Sequence, residues 1–320
     1  MSNTDWFYER GYGIFNHQLE FYVNNPEKIR SMGKCTSWDE CLRDFDFELF
    51  ASQVEEMGAG YVIITIQQGS KYMLAPNDTY NRITGYKNGE ACPTFDFIEM
   101  LYEALHKRDI DLMLYFTGDG PYQDDVAGNA FGYRNAGKVT PEYLDKWCAV
   151  LEEYSLRYGK KVKGWWLDGM SAWRGYDDPE NVRRLVEAAK VGNPDAIVAC
   201  NHYGVINEWG GARTQVRNGT KYCDYTAGEM IYFEDVPVQP FIHNTKCRWH
   251  ILSHLAKAPG QEAYNGWGQP GSNYTPEYLC EWYKKVHEHG GVVTIDLCVF
   301  RDGHIDEEQL KVVSALKNCK

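Results

Sequence analysis

Short apolar runs alternate with longer amphipathic stretches along the whole 320-residue chain, and no low-complexity segment or clear linker interrupts them. The runs Tyr12–Phe15, Tyr61–Ile66, Asp111–Phe116, Lys163–Leu167, Ile197–Cys200, Tyr222–Tyr225 and Val292–Leu297 have the length of strands. Most are continuously apolar rather than alternating, which is the pattern of parallel strands buried on both faces. Helix signatures lie between them at Asp46–Met57, Phe95–Arg108, Asn244–Ala256 and Asp306–Lys317. Three more helices open on one start signal: Thr140-Pro141-Glu142, Asp178-Pro179-Glu180 running to Lys190, and Thr275-Pro276-Glu277. Each places a cap, a proline in the first turn and an acid near the positive end of the helix dipole. Strand–helix alternation at this spacing predicts βαβ units and a parallel sheet. Seven strands are visible and a weak eighth is placed near Glu262–Tyr264. The expected fold is therefore α/β, a (β/α)8 TIM barrel forming a single domain over residues 1–320. A doubly wound sheet is the alternative, but no GxGxxG or GxxxxGK[ST] follows any strand.

Charge and composition narrow the partners. Thirty-three basic against 45 acidic residues give a net charge of −12, the wrong sign for tracking phosphates or an anionic membrane surface. No apolar run approaches the roughly 20 residues that span a bilayer. The opening MSNTDWFYERGYGIF lacks a basic start followed by an apolar stretch. The expectation is a cytoplasmic protein, or a periplasmic or secreted one if a leader precedes this sequence. None of the ten cysteines forms a CxxC pair, so reduced, partly buried thiols are expected. His17, Cys200 and His202 match no metal-binding spacing, and neither a metal nor another cofactor is expected. Homo-oligomerisation is left open. Aromatic residues reach 14%, which points either to a large core or to a cleft floored with rings.

In a barrel the chemistry sits at the C-terminal ends of the strands. That rule selects His17 and Gln18 after the first strand, Gln67, Gln68 and Lys71 after the second, and Asp119 after the third. It selects Asp168 after the fourth, Asn201 and His202 after the fifth, Glu229 and Glu234 after the sixth, and Arg301 beyond Asp296 at the end of the chain. Asp168 stands out because GWWLDG sets a carboxylate directly after an apolar run with two tryptophans, where rings exclude water and stack on a sugar. Against that stands an Asp that merely caps its own turn, with Gly169 supplying the bend. Side chains alternate along a strand, so only one of Trp165 and Trp166 should face the interior. Trp267, in the Gly-rich loop NGWGQPG, is read either as a sugar platform or as a plug over the rim.

Taken together these segments resemble glycoside hydrolase family 29, the α-L-fucosidases. WFYERGYGIFNHQ resembles the family opening, whose first strand ends in FIHWG, with His17 in the histidine place. DFDFELFASQVEEMGAGYVIIT and FDFIEMLYEALHKRDIDLMLYF resemble its next two helix–strand units. KGWWLDG resembles the nucleophile motif WFDG, with Asp168 in the nucleophile place. DYTAGE resembles a segment holding a Glu after the sixth strand, and YKKVHEHGGVVTIDLCVFRDGHIDEEQ resembles the closing segment. The family's C-terminal β-sandwich is not expected within these 320 residues. The family carries KHHDGF after the second strand, where two histidines contact the fucose; this chain reads IQQGSKYM, with Gln67 and Gln68 there. Amides still bind hydroxyls, as donors and acceptors, but the sugar-contacting set differs.

The resemblance implies a retaining glycosidase acting on a terminal sugar of a neutral glycan or glycoside. Asp168 would attack the anomeric carbon, and a second carboxyl would serve as acid and then base. Glu229 is the first choice for that carboxyl, Glu234 the second and Glu262 the third. His17, Gln67, Gln68, Trp166, Asn201, His202 and Trp267 are the expected sugar contacts. Two other classes stay open. A binding protein on a decayed glycosidase barrel would have no second carboxyl near Asp168. A sugar-acid isomerase or lyase would bring a metal, or a base such as Lys71, to the site.

Overall fold

The computed structural model describes residues 3–135, 137–201, 222–229, 232–234, 236–242, 245–256 and 266–319. Seven strands form one sheet: β1 Tyr12–Asn16, β2 Tyr61–Thr65, β3 Asp111–Thr117, β4 Val162–Asp168, β5 Ile197–Cys200, β6 His250–His254 and β7 Val292–Asp296. Their order is β5-β4-β3-β2-β1-β7-β6, and every neighbouring pair is parallel. Nearly every strand residue is buried, which is why these strands read as continuous apolar runs.

The two edge strands, β5 and β6, are joined through the irregular segment 224–229. Asp224 N donates to Val198 O of β5 at 2.8 Å. On the other side Thr226 N donates to Arg248 O at 3.0 Å and Leu252 N to Gly228 O at 2.9 Å. The expected strand Tyr222–Tyr225 is thus replaced by single bridges, Tyr225 to Arg248 and Glu229 to Leu252. The ladder breaks because a side chain enters it: His250 N donates to Thr226 Oγ1 at 2.8 Å, and that hydroxyl donates to His250 O at 2.7 Å. Gly228 follows at φ +64°, with His250 O only 1.8 Å from where a Cβ would stand, so the crossing requires glycine.

The expected helix Asn244–Ala256 is also corrected, because β6 occupies its centre. His250 and Leu252 pack inward while Trp249 and Ile251 pack outward. Two inward histidines in one strand disguise its alternation as a helical spacing. The weak strand placed at 262–264 lies outside the described residues.

The other helices form where the caps place them: α1 Phe47–Met57, α2 Phe97–His106, α3 Pro141–Tyr158, α4 Pro179–Lys190, α5 Pro276–Glu288 and α6 Glu307–Ser314. Asp46, Asp96, Thr140, Asp178, Thr275 and Asp306 each accept a first-turn backbone N–H, contacts worth about 1 kcal/mol apiece. No helix among the described residues is long and apolar enough to cross a membrane.

Two cores result. The outer one lies between sheet and helices and contains Trp165, while the inner one contains Phe15, Tyr61, Met113, Tyr115, Trp166 and Leu252. The inner space is tight: a Cβ on Gly13 would stand 2.2 Å from the Tyr61 ring. The expectation of wholly reduced cysteines fails at one pair, since Cys280 of α5 is bonded to Cys319. Packing of α5 against the last turn brings the two together. The other eight cysteines form no disulfide, and all but Cys35 are buried.

Candidate active site

The pleat decides which strand-end residues meet. Residues two apart on a strand share a face, so the inner-core positions Phe15, Trp166, Ala199 and Ala227 point on to His17, Asp168, Asn201 and Glu229. A cavity of about 150 Å³ opens at this end of the sheet, lined by His17, Gln68, Asp168, Glu229, Trp166 and Trp267, with Phe15, Tyr22, Tyr115 and Leu252.

Asp168 closes β4 and is buried. Its Oδ2 accepts from the Tyr115 hydroxyl at 2.5 Å, and its Oδ1 accepts from Asn201 Nδ2 at 3.0 Å. The same Nδ2 donates to Glu229 Oε2 at 2.6 Å. One amide nitrogen therefore spans both carboxyls, and their bonded oxygens are no further apart than those two bonds laid end to end. Asn201 is itself fixed, because its backbone N donates to Leu167 O at 2.7 Å. The Glu229 carboxyl is pushed up to about 7, first by burial and then by the charge of Asp168, against a lowering contribution from the Asn201 hydrogen bond. Environment has separated two like groups, which is how a site obtains an acid from a carboxyl near neutral pH.

His17 is oriented from behind. Its Nδ1 lies 2.7 Å from Asp296 Oδ1, and Asp296 Oδ2 accepts from Gly268 N at 2.6 Å. With Nδ1–H donating to that carboxylate, Nε2 is the ring atom left to the cavity side. Arg30, fully buried, braces the same turn by donating to Asn16 Oδ1 and His17 O. Trp166 lies stacked on Tyr115, ring centroids 5.2 Å apart at 14°, and its Nε1 donates to Ala227 O at 3.0 Å. Trp267 closes the other side, edge-on to His17 and to His254 at 5.7 and 5.1 Å.

The remaining candidates go elsewhere. Gln67 is buried but committed to the loop: its Oε1 accepts from Thr117 and its Nε2 donates to Ser70 O. Glu234 is exposed and lines no cavity described here. Lys71 sets its ammonium over the rings of Tyr72 and Tyr86. Arg301 ties down a loop through Asp44, Asn24 and Thr36. His202 and Glu262 lie outside the described residues. Among the described residues no group of three His, Cys, Asp or Glu is placed to hold a metal ion. Sequence reasoning missed Tyr115, although its position two before Thr117 in β3 puts it on the inner face. It noted Asp296 without its partner His17, which a strand-end acid beside a strand-end histidine could have revealed.

A model of the alpha-L-fucosidase family matches residues 33–231, a stretch that includes both Asp168 and Glu229. A sequence search of curated proteins finds no match. Among solved structures, the endo-fucoidan hydrolase P5AFcnA of glycoside hydrolase family 107 superposes with a TM-score of 0.68 at 14% identity, over 96% of this chain and 90% of its own. Another family 107 endo-fucoidan hydrolase, MfFcnA4, gives 0.70 at 14% identity over 98% of this chain, which spans only about half of that protein, 53%. A family 29 α-L-fucosidase from Bacteroides thetaiotaomicron gives 0.64 at 17% identity over 98% and 72%. At such identities the likeness is one of fold. The family model, by contrast, covers more than half of the sequence, and the matched segment carries both carboxyls of the cavity: the chain belongs to the alpha-L-fucosidase family of glycoside hydrolases.

Proposed function

We propose that this protein is a retaining glycoside hydrolase acting on α-L-fucosides, with Asp168 as nucleophile and Glu229 as acid and base. We read the sheet as a (β/α)8 barrel in which 224–229 supplies the eighth position. The observation that carries the reading is the Asn201 amide shared by the two carboxyls. A shared amide that keeps one oxygen of each carboxyl within two hydrogen bonds of the other is in keeping with the separation of about 5–5.5 Å that retention needs, and supports a retaining over an inverting pair. Below pH of about 7 Glu229 holds the proton that the leaving oxygen requires. Once Asp168 is esterified by the sugar its charge is gone, and with it the contribution that raises Glu229. Glu229, having given its proton to the leaving oxygen, then stays a carboxylate and serves as the base that takes a proton from the attacking water. His17, Gln68, Trp166 and Trp267, all on the cavity wall, supply hydroxyl contacts and stacking surface. A second carboxyl beside Asp168 supports catalysis over sugar binding alone.

Proton NMR during hydrolysis of 4-nitrophenyl α-L-fucoside tests this. The first-formed fucose is expected as the α anomer, and β-fucose as first product would overturn retention. Asp168→Asn is expected to lower kcat by at least about 10³-fold with the fold intact, since it removes the nucleophile. Glu229→Gln is expected to cost about 10²–10⁴-fold in kcat/KM on fucosides with poor leaving groups and far less in kcat/KM on the nitrophenyl compound, whose leaving group needs no proton.

A further inference from the structure

A second cavity, of about 410 Å³, adjoins the first and shares Tyr22, Gln68 and Asp168 with it. Its walls come from the loops after β1, β2, β3 and β4, including Phe21, Tyr122, Gln123 and Arg174. Glu229 does not line it. It stands on the segment that joins β5 to β6, outside the run β1 to β4 whose loops wall this cavity. In the reading above, the leaving group departs on the side of the acid, so this cavity faces a different part of the reacting sugar.

We propose that the second cavity is a subsite for a further neutral sugar, carried on a hydroxyl of the reacting fucose, so that the enzyme cleaves behind a substituted fucose rather than only an unsubstituted terminal one. This rests on the glycosidase reading and names its substrate class. The wall chemistry suits a saccharide. Gln68 and Gln123 offer amides that both donate and accept. Phe21 keeps its ring 52% exposed on the cavity wall, and an exposed ring there is a surface for the apolar face of a sugar. The charge argues for a neutral group. Glu20, Asp119 and Asp168 set three carboxyls on the walls against the one guanidinium of Arg174, which is itself ion-paired with Asp119, while the ammoniums of Lys28, over the Phe21 ring, and Lys71, near Glu20, stand outside the lining. A sulfated or acidic sugar would meet more carboxyls than cations on the lining itself.

Calorimetric titration with L-fucose, and with neutral α-L-fucosyl-L-fucose disaccharides of each linkage, tests the subsite in the wild type and in Phe21→Ala and Gln123→Ala. At least one disaccharide is expected to bind about tenfold or more tightly than fucose, roughly 1.4 kcal/mol. Each variant is expected to lose most of that advantage while binding fucose as before. Equal binding of fucose and every disaccharide by the wild type would overturn the proposal, as would variants that weaken both alike. A sulfated disaccharide that outbinds its neutral counterpart would overturn the neutral class. Hydrolysis of 4-nitrophenyl α-L-fucoside, run in parallel, separates the two claims. Disaccharide preference without hydrolysis keeps the subsite and refutes the glycosidase reading; hydrolysis without preference does the reverse.

Discussion

Asn201 shows how much one side chain settles in this site. It donates to both carboxyls, and its hydrogen bond is the contribution that holds the Glu229 carboxyl down against burial and the Asp168 charge. Asn201→Ala is therefore expected to move the alkaline limb of kcat/KM above its wild-type position near pH 7 and to lower kcat about 10–100-fold through lost orientation; an unmoved limb would show that Asn201 does not govern the acid. The same shift has a stability sign. A carboxyl raised in the folded state binds its proton there while the unfolded chain has already lost it, so the folded form is penalised as pH rises from about 4.5 to 7. Glu229→Gln removes that penalty, and its stability advantage over wild type is expected to grow between pH 5 and 8 by ~1–3 kcal/mol, read as widening Tm differences. At this scale the sequence was informative wherever a polar residue directly follows an apolar run, as with Asp168 and Asn201. It was not informative for Tyr115, which sits inside its run and looks like core until the hydroxyl's partner is known.

The elements divide by how many faces they bury. Helices carry their caps in the sequence, and Asp46, Thr140, Asp178 and Thr275 mark starts that the structure keeps. Strands β2 to β5 are apolar on both faces and read plainly. β6 does not, because its inward residues include His250 and His254, which serve the interior network and the rim rather than a dry core. The segment 224–229 is harder still, since its ladder is broken by the Thr226 hydroxyl. Close approach also operates at this scale. Gly13 of β1 lies under the Tyr61 ring, so Gly13→Ala should overpack the inner core and cost about 1–3 kcal/mol. Chemical denaturation would show it as a lowered midpoint, and an unchanged midpoint would mean that the ring moves aside freely.

Across the whole molecule, the joining of the sheet edges depends on a buried neutral histidine. His250 contacts Thr226 O through Nδ1 at 2.9 Å and Thr294 Oγ1 through Nε2 at 2.7 Å, linking 224–229 to β7. Burial pushes it down to about 4. The unfolded chain takes up that proton near pH 6.5, so stability is expected to fall as pH drops from about 6.5 towards 4. Tm across that range measures it, and His250→Gln should flatten the slope although it lowers Tm itself. At this level the sequence by itself determined the order of strands and helices through β5 and again from α5 onward, the apolar character of the sheet, the helix starts and the short list of strand-end polar residues, because each depends on local periodicity and capping. It also carried the family resemblance. Only the tertiary structure decided that Glu229, and not the exposed Glu234, stands beside Asp168, that Gln68 reaches the cavity while Gln67 braces its loop, and that a second cavity continues from the first. Those outcomes depend on which distant strands become neighbours and which way each pleat points where they meet, and no local stretch of sequence encodes that.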